Sequence, residues 1–185
     1  RTSDLDIILV PGQPVGDGHW IARWARNLKT AEILAPPEHA PANMLDWSRR
    51  LVARASQDDR PTLIIGHGLG ASLIALAATA LAEIPIAGAV LVAPHALVPS
   101  DTGEQAADAP AELPTGRMAF PVMVISARNA PDMPLERAQA LAASWEAVFV
   151  DAGAAGPIDE TSGHGPWPEG LMRLGRFINP LQPAR

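Results

Sequence analysis

Thr62-Leu63-Ile64-Ile65-Gly66-His67-Gly68-Leu69-Gly70-Ala71-Ser72-Leu73-Ile74 is the stretch on which the fold turns. The β-branched apolar run Thr62 to Ile65 leads at once into glycines at positions 66, 68 and 70, and then into Leu69 to Ala82, which is apolar on every side. A run without alternation reads as a strand buried on both faces, the glycines as a tight turn, and the remainder as a buried helix. Pro61 to Ala82 holds no Asp, Glu, Lys or Arg and has about the length of a membrane span, but its glycine-broken centre argues for strand, turn and helix instead.

Outward from this unit the same alternation recurs. Strand candidates are Leu5 to Val10, Ile86 to Ala93, Val122 to Ser126 and Ala147 to Val150, with a weaker one at Ala31 to Leu34. Helical spacing appears in Trp20, Trp24 and Leu28; in Met44, Trp47, Leu51, Val52 and Ala55, with Asn43 placed to cap them; in a stripe from Leu135 to Trp145 opened by Pro134; and after Pro168 in Leu171, Leu174, Phe177 and Ile178. Strand and helix in turn predict an α/β class: a three-layer, mostly parallel, doubly wound sheet with helices on both faces and right-handed crossovers. The exception is Pro94 to Met118, rich in Pro, Ala and acids and longer than an ordinary connection; it reads as a lid, a partner-binding segment or a plain loop.

Composition narrows the classes of function. With 185 residues, 48% of them hydrophobic, the chain supports one substantial core, and a single domain over 1–185 is expected. A formal charge of −6 with scattered arginines, Lys29 being the one lysine, leaves no footprint for a nucleic-acid backbone. Absence of cysteine removes disulfides, thiolate metal sites and thiol nucleophiles together, and the expected location is cytoplasmic. Arg1 to Asp4 are polar, so no signal peptide is visible, although a start at Arg rather than Met leaves room for trimming.

Gly66-His67-Gly68-Leu69-Gly70 occupies the place of a G-x-S-x-G nucleophile elbow, in which a strand-to-helix turn presents a serine and the next backbone N–H helps to hold an oxyanion. Here the serine position is Gly68. Together with Pro11-Gly12, His19-Trp20, Asp46-Trp47, Val92-Ala93-Pro94, Ser126 to Pro134 and Ser162-Gly163-His164-Gly165-Pro166-Trp167-Pro168-Glu169-Gly170, the chain resembles the small bacterial serine hydrolases that include the retinoblastoma-binding protein 9 type. The resemblance implies an α/β-hydrolase fold without a large cap and, for the family, esterase-like activity with poorly defined natural substrates. It also implies that the acid position, in Ala127-Arg128-Asn129-Ala130-Pro131, is Ala130, and that the histidine position, in Ala155-Gly156-Pro157-Ile158-Asp159, is Pro157. A triad of Gly68, Ala130 and Pro157 has neither nucleophile, acid nor base.

The remaining candidates favour structural roles. The expected vestigial pocket is Gly12, His19, His67, Leu69, Ser162, His164 and Trp167, with His67 and His164 read as structural. Asp132 could be a shifted acid but has no histidine to hold, and Ser72 back-bonds to its helix. No ligand spacing supports a metal, no cofactor is expected, and the tryptophans read as packing rather than a ligand cage. The expected function is a catalytically inactive hydrolase fold serving as an interaction or scaffold subunit, with a protein partner or a second copy. Alternatives are binding of a small carboxylate or phosphate in the vacated pocket, and residual esterase chemistry through non-family residues. Neither nucleic acid nor membrane is expected as a partner.

Overall fold

A computed structural model describes residues 2–97 and 112–181. The strands are β1 (Asp6–Val10), β2 (Ala31–Ile33), β3 (Thr62–His67), β4 (Ile86–Val92), β5 (Val122–Ser126) and β6 (Val148–Asp151). The helices are α1 (Trp20–Asn27), α2 (Met44–Ala55), α3 (Leu69–Leu81), α4 (Leu135–Ser144) and α5 (Pro168–Ile178). All five strand pairings are parallel, in the order β2-β1-β3-β4-β5-β6. Chain order runs outward from β1 in two directions, so β1 and β3 flank the switch point at which a parallel sheet opens a crevice beyond its carboxyl ends.

The buried strands explain themselves through their side chains. Along β1 and β3, Ile8, Val10 and Ile64 enter the core formed with α2, α3 and α4, whereas Ile7, Leu9, Leu63 and Ile65 enter the core formed with α1 and α5. Two faces that are both buried have no use for polar alternation. Trp47 and Trp145 fill the first core, and Trp20, Trp24 and Trp167 the second. No large cap intervenes among the described residues.

Several local expectations need correction. Asn43 does not cap α2 through its side chain; its amide donates instead to the carbonyls of Glu38 (3.0 Å) and His39 (3.1 Å), holding the 3-10 turn that leads into the helix. Pro134 stands one position before α4 rather than at its first turn, while Pro168 does open α5. Of the long segment Pro94 to Met118, residues 98–111 lie outside the described residues. No helix among the described residues is long and apolar enough to cross a membrane.

Candidate active site

The turn between β3 and α3 is sharp because Gly68 adopts φ 60° and ψ −125°. This backbone region is costly for a residue with a Cβ, and glycine enters it without a clash. α3 then starts at Leu69, whose N–H has no acceptor among the described residues. The loop after β1 crosses this helix start so closely that a Cβ on Gly12 would stand 2.7 Å from the Leu69 nitrogen, which only glycine at position 12 permits. A free N–H beside the elbow is the donor that would hold a developing oxyanion.

Gly12, Gln13, His67, Gly68, Leu69, His95, Asp132, Pro157 and Asp159 line one cavity of about 280 Å3 there. Gly68 and Pro157, far apart in sequence, therefore meet on its wall. Ala130 lies in the loop beyond the carboxyl end of β5, at the same edge of the sheet, but does not line the cavity. That loop is tied to the Pro157 loop by the Gly156 N–H donating to Asn129 Oδ1 at 2.8 Å.

Sequence reasoning missed His95. It follows β4 through Ala93, which takes a left-handed φ of 46°. The Ser72 hydroxyl fixes its backbone from α3, donating to the His95 carbonyl at 2.7 Å and accepting from the His95 N–H at 3.0 Å. Ser72 is thus a brace between α3 and the β4 loop rather than a side chain merely bonded back to its own helix, where its distance to the Gly68 carbonyl is 3.5 Å. His95 Nε2 lies 3.0 Å from Asp132 Oδ2, and 3.2 Å from the point a Cβ on Gly68 would occupy. Asp132 therefore does have a histidine, contrary to expectation. Its place just past the carboxyl end of a parallel strand was the available signal, obscured by assigning Pro94 to Met118 to one long loop.

Electrostatics at this edge favours neutral imidazoles. Burial lowers the His67 pKa, against the Pro157 carbonyl and Asp159, which raise it. His67 Nε2 must be the donor to the Pro157 carbonyl at 2.8 Å, so the backbone of Pro157 orients the His67 ring. His19 is pushed down to about 4, first by burial and then by His67, with Asp159 opposing. Its Nδ1 caps α1 by accepting from the Ile21 N–H at 3.1 Å. Burial likewise lowers His95, while Asp132 raises it. For Asp159 burial acts upward, but hydrogen bonds from Thr161 and the nearby His67 and His19 outweigh it and leave the carboxyl below its ordinary range.

Four expected pocket residues, His19, Ser162, His164 and Trp167, stand apart from the cavity. Ser162 caps a short turn by accepting from the Asp159 N–H at 3.1 Å and lies 2.9 Å from His164 Nδ1. Trp167 stacks on Trp24 at 5.7 Å and meets Trp20 edge-on at 5.0 Å. His19 touches the ring of His67 at 5.2 Å between centroids, behind the cavity wall. No group of three or more His, Asp or Glu among the described residues is placed to hold a metal ion.

A family model described as serine hydrolase matches residues 7–176. A YdeN-like hydrolase from Pectobacterium atrosepticum is similar in structure, with 31% identity, TM-score 0.84, and coverage of 98% of this chain and 95% of that one. The ydeN gene product of Bacillus subtilis shares the fold at 18% identity and TM-score 0.72, covering 94% of this chain and 98% of its own. Among curated proteins none matches.

Proposed function

The chain belongs to the serine hydrolase family, and we propose that it has kept that family's fold and pocket while giving up its covalent chemistry. The observation that carries this reading is Gly68: the turn that would present a nucleophile carries no side chain, and the ring of His95 faces it instead. Without a hydroxyl or thiol at that point no acyl-enzyme forms. The resemblance to the retinoblastoma-binding protein 9 type supports the same conclusion through Ala130 and Pro157, which can supply neither acid nor base.

What remains is a small polar cavity suited to non-covalent binding. Two carboxylates, Asp132 and Asp159, stand on its wall and work against a carboxylate or phosphate ligand by like-charge repulsion. A neutral carbonyl compound with its oxygen on the Leu69 N–H suits this lining better. Acid quench after incubation with a short-chain ester, followed by intact mass, tests the reading; no acyl adduct is expected, and an adduct on a serine overturns it.

The interaction-subunit reading stands second, and one observation favours it. Pro121, Met123, Val148, Val150 and Phe177 line a largely apolar groove of about 420 Å3 between β6 and α5, and Val148 is 60% exposed. Native mass spectrometry of the purified chain separates the two readings: a retained protein partner or a dimer supports this one, a bound small molecule the first.

A further inference from the structure

We propose that the groove between β6 and α5 is a binding site for a free alkanoate of medium chain length, with the alkyl chain between strand and helix and the carboxylate on Arg176. The inference goes beyond both readings above. The groove and the elbow cavity share no lining residue, so it holds whether or not the elbow acylates.

The trough follows from where the sheet ends. β6 is its last strand, so Val148 and Val150 have a neighbouring strand on one flank and none on the other. α5 closes over them with Phe177, and the chain turns back through Pro180 and Leu181. Glycine at position 88 in β4 lets this wall seat low, since a Cβ there would stand 3.1 Å from the Phe177 ring and 3.0 Å from Leu181. Burial deepens inward: Val148 is 60% exposed, Val150 and Phe177 are half-buried, and Met123 is 4% exposed. At about 420 Å3 the groove is larger than the elbow cavity and of a size that takes small ligands. Along α5 its lining extends from Arg173 to Leu181, about 12–14 Å at the rise of an α-helix ending in a 3-10 turn, which suits a medium alkyl chain rather than a short acyl group.

Charge selects the head group. Arg173 and Arg176, three apart and therefore on one face of α5, both line the groove. Arg173 is committed to Glu169 one turn earlier, at 3.1 Å. Arg176 is exposed and has no hydrogen bond or ion pair among the described residues. No carboxylate lines this groove, whereas two line the elbow cavity. An unpaired guanidinium beside an apolar trough matches a molecule that is apolar along its length and anionic at one end, and its forked N–H groups fit a carboxylate. Among the described residues, Val148 is the one large exposed hydrophobic that lines the groove. The site is therefore a slot for a single chain, not a broad apolar face of the kind that buries about 800 Å2 per protein partner.

Titration calorimetry of the full chain with decanoate, kept below its micelle concentration, tests the inference, with hexanoate and decyltrimethylammonium as the short and the charge-reversed probes. The expected result is one equivalent of decanoate bound, with hexanoate about tenfold weaker because fewer methylenes leave water. Arg176→Gln is expected to weaken decanoate about tenfold and to narrow its preference over decyltrimethylammonium. Val148→Asp, at an exposed position that tolerates the change, is expected to abolish decanoate binding by placing a carboxylate in the trough. Circular dichroism confirms that each variant is folded. No decanoate binding in the parent, equal affinity for decyltrimethylammonium, or decanoate binding that neither variant weakens overturns the inference. Sedimentation of the same samples tests the other occupant: a parent dimer that Val148→Asp dissociates, with no decanoate bound, assigns the groove to a second copy and overturns the inference as well.

Discussion

The two ends of the parallel sheet are built on opposite principles. At the amino end, Asp6 is 1% exposed and is gripped by both guanidinium nitrogens of Arg54, at 2.8 and 2.9 Å, with Glu32 joining at 3.2 Å. Charge there is buried only with its partner. At the carboxyl end, His19, His67 and His95 are all driven toward their neutral forms, and left-handed backbone recurs at Gly68, Ala93, Gly156 and Ile158. Ile158 is the sharpest case, since a β-branched residue rarely takes a φ of 52°. The perturbed histidines gathered at one edge mark the end that is shaped for a site, and the paired end is shaped for stability.

Removing Arg54 should produce the largest effect. Arg54→Ala leaves the Asp6 carboxylate buried and unpaired, and a loss of roughly 3–5 kcal/mol in denaturant unfolding is expected. A loss below 1 kcal/mol would show that Asp6 is rehydrated and that the amino end is less closed than its geometry implies.

Gly68→Ala should cost roughly 1–3 kcal/mol, the range for a side chain forced into a sparsely populated backbone region. The new Cβ would also press on His95 Nε2 at 3.2 Å. Combining it with His95→Ala should recover the steric part and leave the backbone part, so the two substitutions should be non-additive. Strict additivity in the double-mutant cycle would separate His95 from the elbow.

The third effect is a pH dependence confined to the carboxyl end. The folded pKa of His19 is about 4 against 6.5 in the unfolded chain, so between these values the unfolded state binds more protons. Stability is therefore full above about pH 6.5 and falls as the pH drops toward 4, by up to about 1.4 kcal/mol per pH unit for each such histidine. His67 and His95 act in the same direction. His19→Asn, which keeps a capping acceptor, should flatten the melting-temperature profile between pH 7 and 4.5. The smallest effect is expected for Ala93→Gly, a gain under about 1 kcal/mol from relief of its left-handed φ.

The contrast between the ends also separates what could be read in the sequence from what could not. β5 runs from Val122 to Ser126, as its apolar run predicts, and Gly66-His67-Gly68-Leu69-Gly70 forms the strand-to-helix turn its glycines imply. Such features depend on local pattern. The Asp6–Arg54 pair and the His95–Asp132 pair do not, because each joins residues brought together only when strands and loops take their places in the sheet. His95 carried one legible cue, its position just after an apolar run, whereas the role of Ser72 as its brace had none. Ser162, His164 and Trp167 were drawn into the expected pocket by a conspicuous motif, yet their contacts serve a capped turn and a tryptophan cluster.

The central claim is that a member of this family has a pocket but no covalent nucleophile, and its most direct test is intact mass spectrometry after incubation with excess fluorophosphonate at neutral pH. The predicted result is an unmodified chain over a time in which a working serine hydrolase is fully labelled. A stoichiometric adduct, mapped by peptide sequencing to Ser72, Ser126, Ser162 or any other serine, would contradict it.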